Sequence, residues 1–221
     1  MNSLQMLYAG ETLTLFADKA LFWNRTRTLI IADPHFGKAS AFRHAGIPVP
    51  EEITKTDLAR LDHLLQATGS ERLMILGDFF HAKSGRSDAT MSALAEWCER
   101  HSQLRIFLVP GNHDLSAGRP PDCWNIVVES EWQESPFTFL HEPATRPHSH
   151  VLAGHLHPSI RLGDGFGAGL RAACFWFGNE TVVLPAFGSF TGTHPIRPAK
   201  TDQIFAVRQN EIFAVPPVLL R

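Results

Sequence analysis

The sequence lacks two features that are common in secreted and membrane proteins. It has three cysteines in 221 residues (Cys98, Cys123 and Cys174), and none of them forms a CxxC pair. An odd number of widely spaced cysteines is typical of a reducing compartment and argues against a disulfide framework. No apolar run approaches the ~20 residues that a membrane-spanning helix needs, and Met1–Leu15 lacks the pattern of a secretory signal. We therefore expect a cytoplasmic protein without a membrane segment.

The sequence also has little net charge. A formal net charge of -2 is not that of a wholly basic nucleic-acid-binding protein. A local basic patch would still be enough to bind a nucleic acid. Apolar residues make up 44% and charged residues 19%, which is a globular balance. The length fits a single domain over residues 1–221. The chain has twelve histidines and one tyrosine. This excess of histidine suits metal binding if the histidines are not simply scattered over the surface.

Five short apolar runs have the length of β-strands, and each is followed by a polar residue or a turn former. Their continuous apolar character predicts strands that are covered on both faces, as in a layered α/β protein. The five runs are Leu29–Ala32, Leu73–Leu76, Ile106–Val109, Phe137–Leu140 and Val151–Ala153.

Helices and further strands are predicted between and after these runs. Apolar residues at helical spacing predict helices over residues 51–68 and 89–101, with Asp88 as the N-cap of the second. The glycine-rich stretch 163–169 predicts a loop. Three more strands are expected over residues 181–184, 204–207 and 212–215, with Gln209-Asn210 as a hairpin turn between the last two.

The polar residues that follow the five runs are the main functional signal. Two of the runs are followed by a pair of such residues, Asp33/His35 and His155/His157. In extended backbone the two members of a pair would point to the same side. Ligands of open α/β sheets bind beyond the carboxyl ends of the strands. We therefore expect one metal site built from Asp33, His35, Asp78, Asn112, His141, His155 and His157.

The types of these side chains indicate which metals bind. A mixture of Asp, His and Asn without cysteine suits Mn²⁺, Fe²⁺ or Zn²⁺. Seven ligands are too many for one tetrahedral ion and suit two ions that share a carboxylate. Two ions ~3.5–4 Å apart can activate a water molecule and hold a phosphate oxygen. The expected cofactor is therefore two divalent ions, with Mn²⁺ preferred and Fe²⁺ or Zn²⁺ as alternatives.

Five ordered motifs of the sequence resemble those of the calcineurin-like metallophosphoesterases. They are Asp33-Pro34-His35, Gly77-Asp78, Gly111-Asn112-His113-Asp114, His141 and Gly154-His155-Leu156-His157. Pro34 departs from the pattern, because an apolar residue such as Leu is commoner there. Further segments, including Ala17–Trp23 and Leu184–Gly192, resemble the bacterial ligase-associated DNA damage response endonuclease (PdeM) branch. The resemblance implies a four-layer α/β/β/α sandwich of two mixed sheets.

The same resemblance implies a role for each matching residue. Asp33, His35 and His157 would hold the first metal, Asn112, His141 and His155 the second, and Asp78 would bridge them. A hydroxide between the metals would attack the phosphorus. His113 would stabilise the charge of the scissile phosphate and protonate the leaving oxygen, while Asp114 would hydrogen-bond His113 and fix its tautomer. Lys38, Arg43, His81 and His194 are candidate substrate-binding residues, although each also fits an ordinary surface or loop position.

The expected function is that of a metal-dependent phosphodiesterase, an endonuclease acting on DNA that is single-stranded or damaged. A DNA ligase or helicase partner is implied by the resemblance alone. Two alternatives stay open at this point. One is a hydrolase of small nucleotide or cyclic phosphodiesters, and the other is a binding scaffold without catalysis, which the complete set of seven ligands disfavours.

Overall fold

A computed structural model describes residues 2–50, 52–163 and 169–216 of the chain. Two mixed β-sheets make up its centre. The first sheet has seven strands in chain order: β1 (Ser3–Tyr8), β2 (Glu11–Phe16), β3 (Ala20–Trp23), β4 (Thr28–Ala32), β5 (Arg72–Leu76), β6 (Arg105–Val109) and β7 (Ile126–Val128). Strands β1 to β4 pair antiparallel, whereas β4 to β7 pair parallel.

Helices lie in the connections that follow β4, β5 and β6. They are α1 (Lys38–His44), α2 (Ile53–Thr68), α3 (Asp88–Arg100) and α4 (Asn112–Ala117). Parallel neighbours need such crossover connections, and this explains why the helices of the described residues lie between the parallel strands β4 to β7. None of the helices among the described residues is long and apolar enough to cross a membrane.

The second sheet comes from the later part of the chain. Its main strand order is β14-β11-β12-β13-β10-β9-β8, and β15 and β16 extend it from β12. The strands are β8 (Trp132–Glu134), β9 (Phe137–Phe139), β10 (His150–Ala153), β11 (Pro158–Gly163), β12 (Gly169–Phe177), β13 (Thr181–Val183), β14 (His194–Pro195), β15 (Gln203–Arg208) and β16 (Glu211–Val215). Strands β9, β10 and β13 pair parallel, and the other pairings except β11 with β14 are antiparallel.

Strand β4 shows why the central strands are apolar along their whole length. Leu29 and Ile31 pack with the leucines of α2, whereas Ile30 and Ala32 face the second sheet. Alternate residues thus enter two different cores, and both faces exclude water. The expectation of strands covered on both sides is confirmed.

The predicted fold class, an α/β protein with two mixed sheets, is confirmed. Helices cover the outer face of the first sheet. On the outer face of the second sheet no helix packs among the described residues. A smaller cluster lies there, formed by strand residues such as Ile160 and Cys174, and Ile196 packs against it. Within the described part of the chain, the outer layer on that side is therefore made without a helix.

The predicted elements agree with the structure apart from their ends. The turn Gln209-Asn210 is confirmed, with positive φ angles of 47° and 66° that suit a two-residue hairpin. The N-cap prediction is wrong: Ser87, and not Asp88, caps α3, because its Oγ accepts from the Thr90 amide at 3.4 Å. Glu51, the first residue of one predicted helix, lies outside the described residues, as do residues 164–168 of the predicted glycine loop.

The register of the sheets brings the ends of five strands together. Ala32, Leu76 and Val109 are neighbours across β4, β5 and β6, so these parallel strands end level. The loops after β9 and β10 meet them from the second sheet. The amide of His155 donates to Asp33 Oδ2 at 2.8 Å, and the amide of Gly154 donates to the carbonyl of His141 at 3.0 Å. One edge of the sandwich therefore gathers the polar residues of all five loops.

Candidate metal centre

Five of the seven predicted metal ligands have an unusual backbone conformation. Asp33, His35, Asp78, His155 and His157 all have positive φ angles, between 46° and 65°. Such angles are uncommon for residues with a side chain and cost of order 1–3 kcal/mol each, and they cluster at functional sites. The expectation that each pair lies in extended backbone is therefore wrong: the side chains converge through tight turns that begin after the strands end.

Two glycines allow the loops to come this close. A Cβ on Gly77, whose φ is +80°, would lie 1.8 Å from Nδ1 of His141. A Cβ on Gly111 would lie 2.2 Å from Oδ1 of Asp78. Only a residue without a side chain fits at either position, so each glycine leaves space for a predicted ligand.

The first group of donor atoms surrounds Asp33 and His35. Nε2 of His157 lies 3.5 Å from Asp33 Oδ2, and Nε2 of His35 lies 3.5 Å from Asp78 Oδ2. Asp33 Oδ1, His35 Nε2 and His157 Nε2 are buried atoms with no hydrogen-bond partner. Buried polar atoms without a partner cost free energy. A carboxylate oxygen of Asp33 and ring nitrogens of His35 and His157 lie within 4.8 Å of one another, so one cation could bind all three side chains.

The second group surrounds His141. Its Nε2 lies 3.0 Å from Asn112 Oδ1, 3.0 Å from His155 Nδ1 and 3.7 Å from Asp78 Oδ1. The other ring nitrogen, Nδ1, lies 3.3 Å from the carbonyl oxygen of Leu76. A carbonyl can only accept, so Nδ1 carries the proton and Nε2 keeps its lone pair. This is how a metal-binding histidine is usually oriented.

Asp78 belongs to both groups. Its Oδ2 faces His35 in the first group and its Oδ1 faces His141 in the second. The backbone amide of His113 donates to the same Oδ1 at 2.9 Å and fixes the carboxylate. Asp78 is 2% exposed, so water hardly reaches it. The carboxylate is positioned to contribute one oxygen to each group.

The electrostatics of the site suit a bound cation. Burial lowers the pKa of His35 to about 2, helped by Lys38 and the neighbouring histidines, so its ring is neutral and keeps a lone pair for a metal. Burial raises the pKa of the Asp33 carboxyl, opposed by the nearby imidazole of His157, whose Nε2 lies 3.5 Å from Oδ2. A buried carboxylate that resists ionisation needs a positive partner, and a bound dication is the strongest one available.

His113 is held by His81 and not by Asp114. Its Nδ1 lies 2.7 Å from the carbonyl oxygen of His81 and therefore donates to it, and the two imidazole rings stack with centroids 5.0 Å apart. Nε2 is then the nitrogen of His113 that can exchange a proton with a ligand. The predicted contact between Asp114 and the His113 ring is wrong. The Asp114 carboxylate instead accepts from the backbone amides of Gly111, Phe79 and Phe80 at 2.9–3.2 Å.

The four predicted substrate-binding residues lie in different settings. Lys38 begins α1, and its charge acts on His35 and His81. His81 lies against the first group, with its Nδ1 3.4 Å from that of His35, and burial lowers its pKa to about 4. Arg43 donates to the carbonyls at positions 49 and 50, which braces the loop before α2. His194 contacts the site through its backbone amide, which donates to the His157 carbonyl at 2.9 Å, while its side chain is exposed.

Sequence reasoning did not find the residues that hold the loop after β13. The Ser189 amide lies 3.1 and 3.2 Å from the two carboxylate oxygens of Asp57, which also pairs with Arg60 at 3.1 Å. Asp57 is buried in α2, only 3% exposed. The signal was available, because a charged pair three residues apart interrupts the apolar side of that helix.

The fold has two mixed sheets, and two groups of donor atoms share Asp78 at the edge where the sheets meet. This is the arrangement expected of a metal-dependent phosphoesterase. The model of the calcineurin-like phosphoesterase family matches residues 26–188. The chain belongs to that family, as its motifs indicated.

A solved structure supports the assignment. The crystal structure of a nuclease, MPE, from Pseudomonas putida is 39% identical, with a TM-score of 0.84 over 97% of this chain and 100% of that one. Yfce, a phosphoesterase from E. coli, is 12% identical with a TM-score of 0.41, over 88% and 94% of the two chains, which is too distant to add to the assignment. No curated protein sequence matches the chain significantly.

Proposed function

We propose that the protein hydrolyses phosphodiester bonds, with DNA as its substrate class, at a pair of divalent metal ions. The observation that supports this most directly is the sharing of Asp78 between two groups of donor atoms. When bound, two such ions activate a water molecule and withdraw charge from the phosphoryl group.

Each group of donors would hold one ion. Asp33, His35 and His157 form the first set, Asn112, His141 and His155 form the second, and Asp78 serves both. The buried, unpartnered Nε2 atoms of His35 and His157 fit this role, because metal coordination would supply the missing partners. The oxygen and imidazole donors suit Mn²⁺ best, with Fe²⁺ or Zn²⁺ as alternatives.

His113 would supply the proton that the leaving oxygen needs. Its Nδ1 proton is committed to the His81 carbonyl, so the transferable proton is the one on Nε2 of the imidazolium. An imidazole can hold and release a proton near neutral pH, which suits a general acid. Asp114 acts through the backbone: its contacts to three amides fix the turn that carries His113.

Lys38 and His81 would meet the substrate beside the first group of ligands. The Lys38 ammonium interacts with the Asp78 carboxylate and is half-buried, so it offers a positive charge close to the metal site. Arg43 and His194 have a supporting part here: Arg43 donates to two carbonyls in the loop before α2, and the His194 amide donates to the carbonyl of the predicted ligand His157.

DNA is the substrate class that these features favour. The similar Pseudomonas putida protein is a nuclease, and the positive charge that Lys38 provides is local, which suits a single strand better than a broad grip on duplex DNA. We keep the cytoplasmic location, and a ligase or helicase partner, as predictions from the sequence.

A panel of four substrates tests the proposal. Rates would be compared at fixed salt with Mn²⁺ on a bis-ester, the matching mono-ester, single-stranded DNA and duplex DNA. We expect the bis-ester to be cleaved faster than the mono-ester, because a mono-ester carries nearly two negative charges, whereas Lys38 supplies a single fixed positive charge beside the predicted ligands. Single-stranded DNA should be cut faster than duplex. Faster mono-ester hydrolysis with both DNAs uncut would contradict the nuclease proposal and favour a small-molecule phosphatase.

A further inference from the structure

An open pocket lies beside the metal centre, and apart from Lys38 its lining residues take no part in the chemistry described so far. Its volume is about 340 Å³, near the lower end of the range for small-ligand sites. Two aromatic rings form its apolar part: Phe42 and Phe190 meet edge to face with centroids 5.3 Å apart. Both rings are half-buried. The pocket is lined by Lys38, Phe42, Ser189, Phe190, Thr191 and Gly192.

The loop that carries Phe190 is anchored firmly. Asp57 accepts from the amide of Ser189, and Arg60 donates to the carbonyl of Phe187 while its guanidinium lies 4.1 Å from the centre of that ring. The Gly188 amide donates to the carbonyl of Asp33 at 3.3 Å. A loop held at these three residues presents Phe190 on a fixed backbone, so the pocket is preorganised for a ligand.

The pocket is also next to the reacting groups. Phe42 lies in ring contact with His81, at 6.2 Å between centroids, and His81 contacts the predicted ligand His35. Lys38 both lines the pocket and interacts with Asp78. Lys38 therefore belongs both to the pocket and to the surroundings of the metal centre, and its positive charge suits an anionic phosphodiester bound there.

We propose that this pocket receives the nucleobase of the nucleotide next to the scissile phosphate, with Phe190 as its stacking surface. The inference rests on the proposed hydrolysis of diesters and adds to it a subsite for one nucleoside. A base is a flat aromatic group joined to an anion, which matches an aromatic wall with a lysine at its edge. Stacking accepts any base, so the pocket favours nucleotides over other diesters without selecting a sequence.

Two diesters with the same leaving group separate this subsite from the chemistry. Thymidine 5′-(4-nitrophenyl phosphate) carries a base, and methyl 4-nitrophenyl phosphate does not. With Mn²⁺ present, the wild-type protein should hydrolyse the nucleoside diester with a kcat/KM about tenfold higher, the size of one base–aromatic stack. Phe190→Ala should remove this preference and leave hydrolysis of the methyl diester unchanged.

Two further variants test whether the flat ring of Phe190 causes the preference for the nucleoside diester. Phe190→Leu keeps an apolar side chain without the flat ring, so it should also lose most of the preference. Phe213→Ala removes another partly exposed ring, on β16 and outside this pocket, and should behave as wild type. Unchanged hydrolysis of the methyl diester shows that each variant is folded.

The outcomes distinguish failure of the subsite from failure of the proposed function. Equal kcat/KM for the two diesters in the wild type, or an equal loss on both in Phe190→Ala, would overturn the subsite while hydrolysis stands. No cleavage of either diester would contradict the proposed function, and the subsite with it.

Discussion

The Asp78→Asn variant should fold normally, bind at most one metal ion and lose diester hydrolysis to background. Asparagine has the size of aspartate, and its oxygen can still accept the amide of His113 as Asp78 Oδ1 does at 2.9 Å. The NH₂ group replaces Oδ2, which faces Nε2 of His35. An NH₂ group donates and has no lone pair for a metal, so one carboxylate can no longer serve both groups.

Metal content and thermal unfolding would both be measured for this variant. A metal that binds only the folded protein raises Tm, so added Mn²⁺ should raise the Tm of the wild type much more than that of Asp78→Asn. Asp88→Asn, at the exposed start of α3, is the matched control and should keep both metal and activity. Two bound ions and normal turnover in Asp78→Asn would show that the carboxylate does not bridge the groups.

Replacing His113 with alanine should lower turnover on DNA by roughly 10²–10⁴-fold, the usual contribution of a general acid. Metal content should stay the same, because the backbone amide of residue 113 still donates to Asp78 after the change. The change removes only the ring that donates to the His81 carbonyl and offers its Nε2 to the leaving oxygen.

The size of this loss should depend on the leaving group. A nitrophenolate leaves readily without a proton, so the loss on bis(4-nitrophenyl) phosphate should be smaller than on a dinucleotide, whose alkoxide needs one. His148→Ala, an exposed histidine, serves as the control for removal of an imidazole. An equal loss on both substrates would rule out the role of His113 as an acid, and unchanged rates would exclude it from the reaction.

The sequence predicted the strands and site residues that depend on the pattern of neighbouring residues in the chain. Strands β4, β5 and β6 have continuous apolar runs because both of their faces are buried, and that pattern is readable without a structure. The polar residues after those strands could be assigned to one site, because parallel strands end at one edge. The N-terminal strands β1 to β3 were not predicted, nor were β7, β8, β11, β12 and β14.

Contacts between distant parts of the chain were not predictable in the same way. Asp114 follows His113 directly, so a bond between their side chains was the simple expectation. The α4 turn instead directs the carboxylate to the amides of Phe79 and Phe80, more than thirty residues away. Likewise, the left-handed backbone of His155 and His157 depends on the packing of two sheets and has no local signature. The pairing of Asp57 with Ser189 spans 132 positions.

Elemental analysis of the purified protein, saturated with Mn²⁺ and freed of excess metal, tests the dinuclear site most directly. We predict close to two ions per chain in the wild type, and no more than one in Asp78→Asn. His113→Ala should match the wild type. A wild-type protein that binds no more than one ion under metal-replete conditions would contradict the two-metal site.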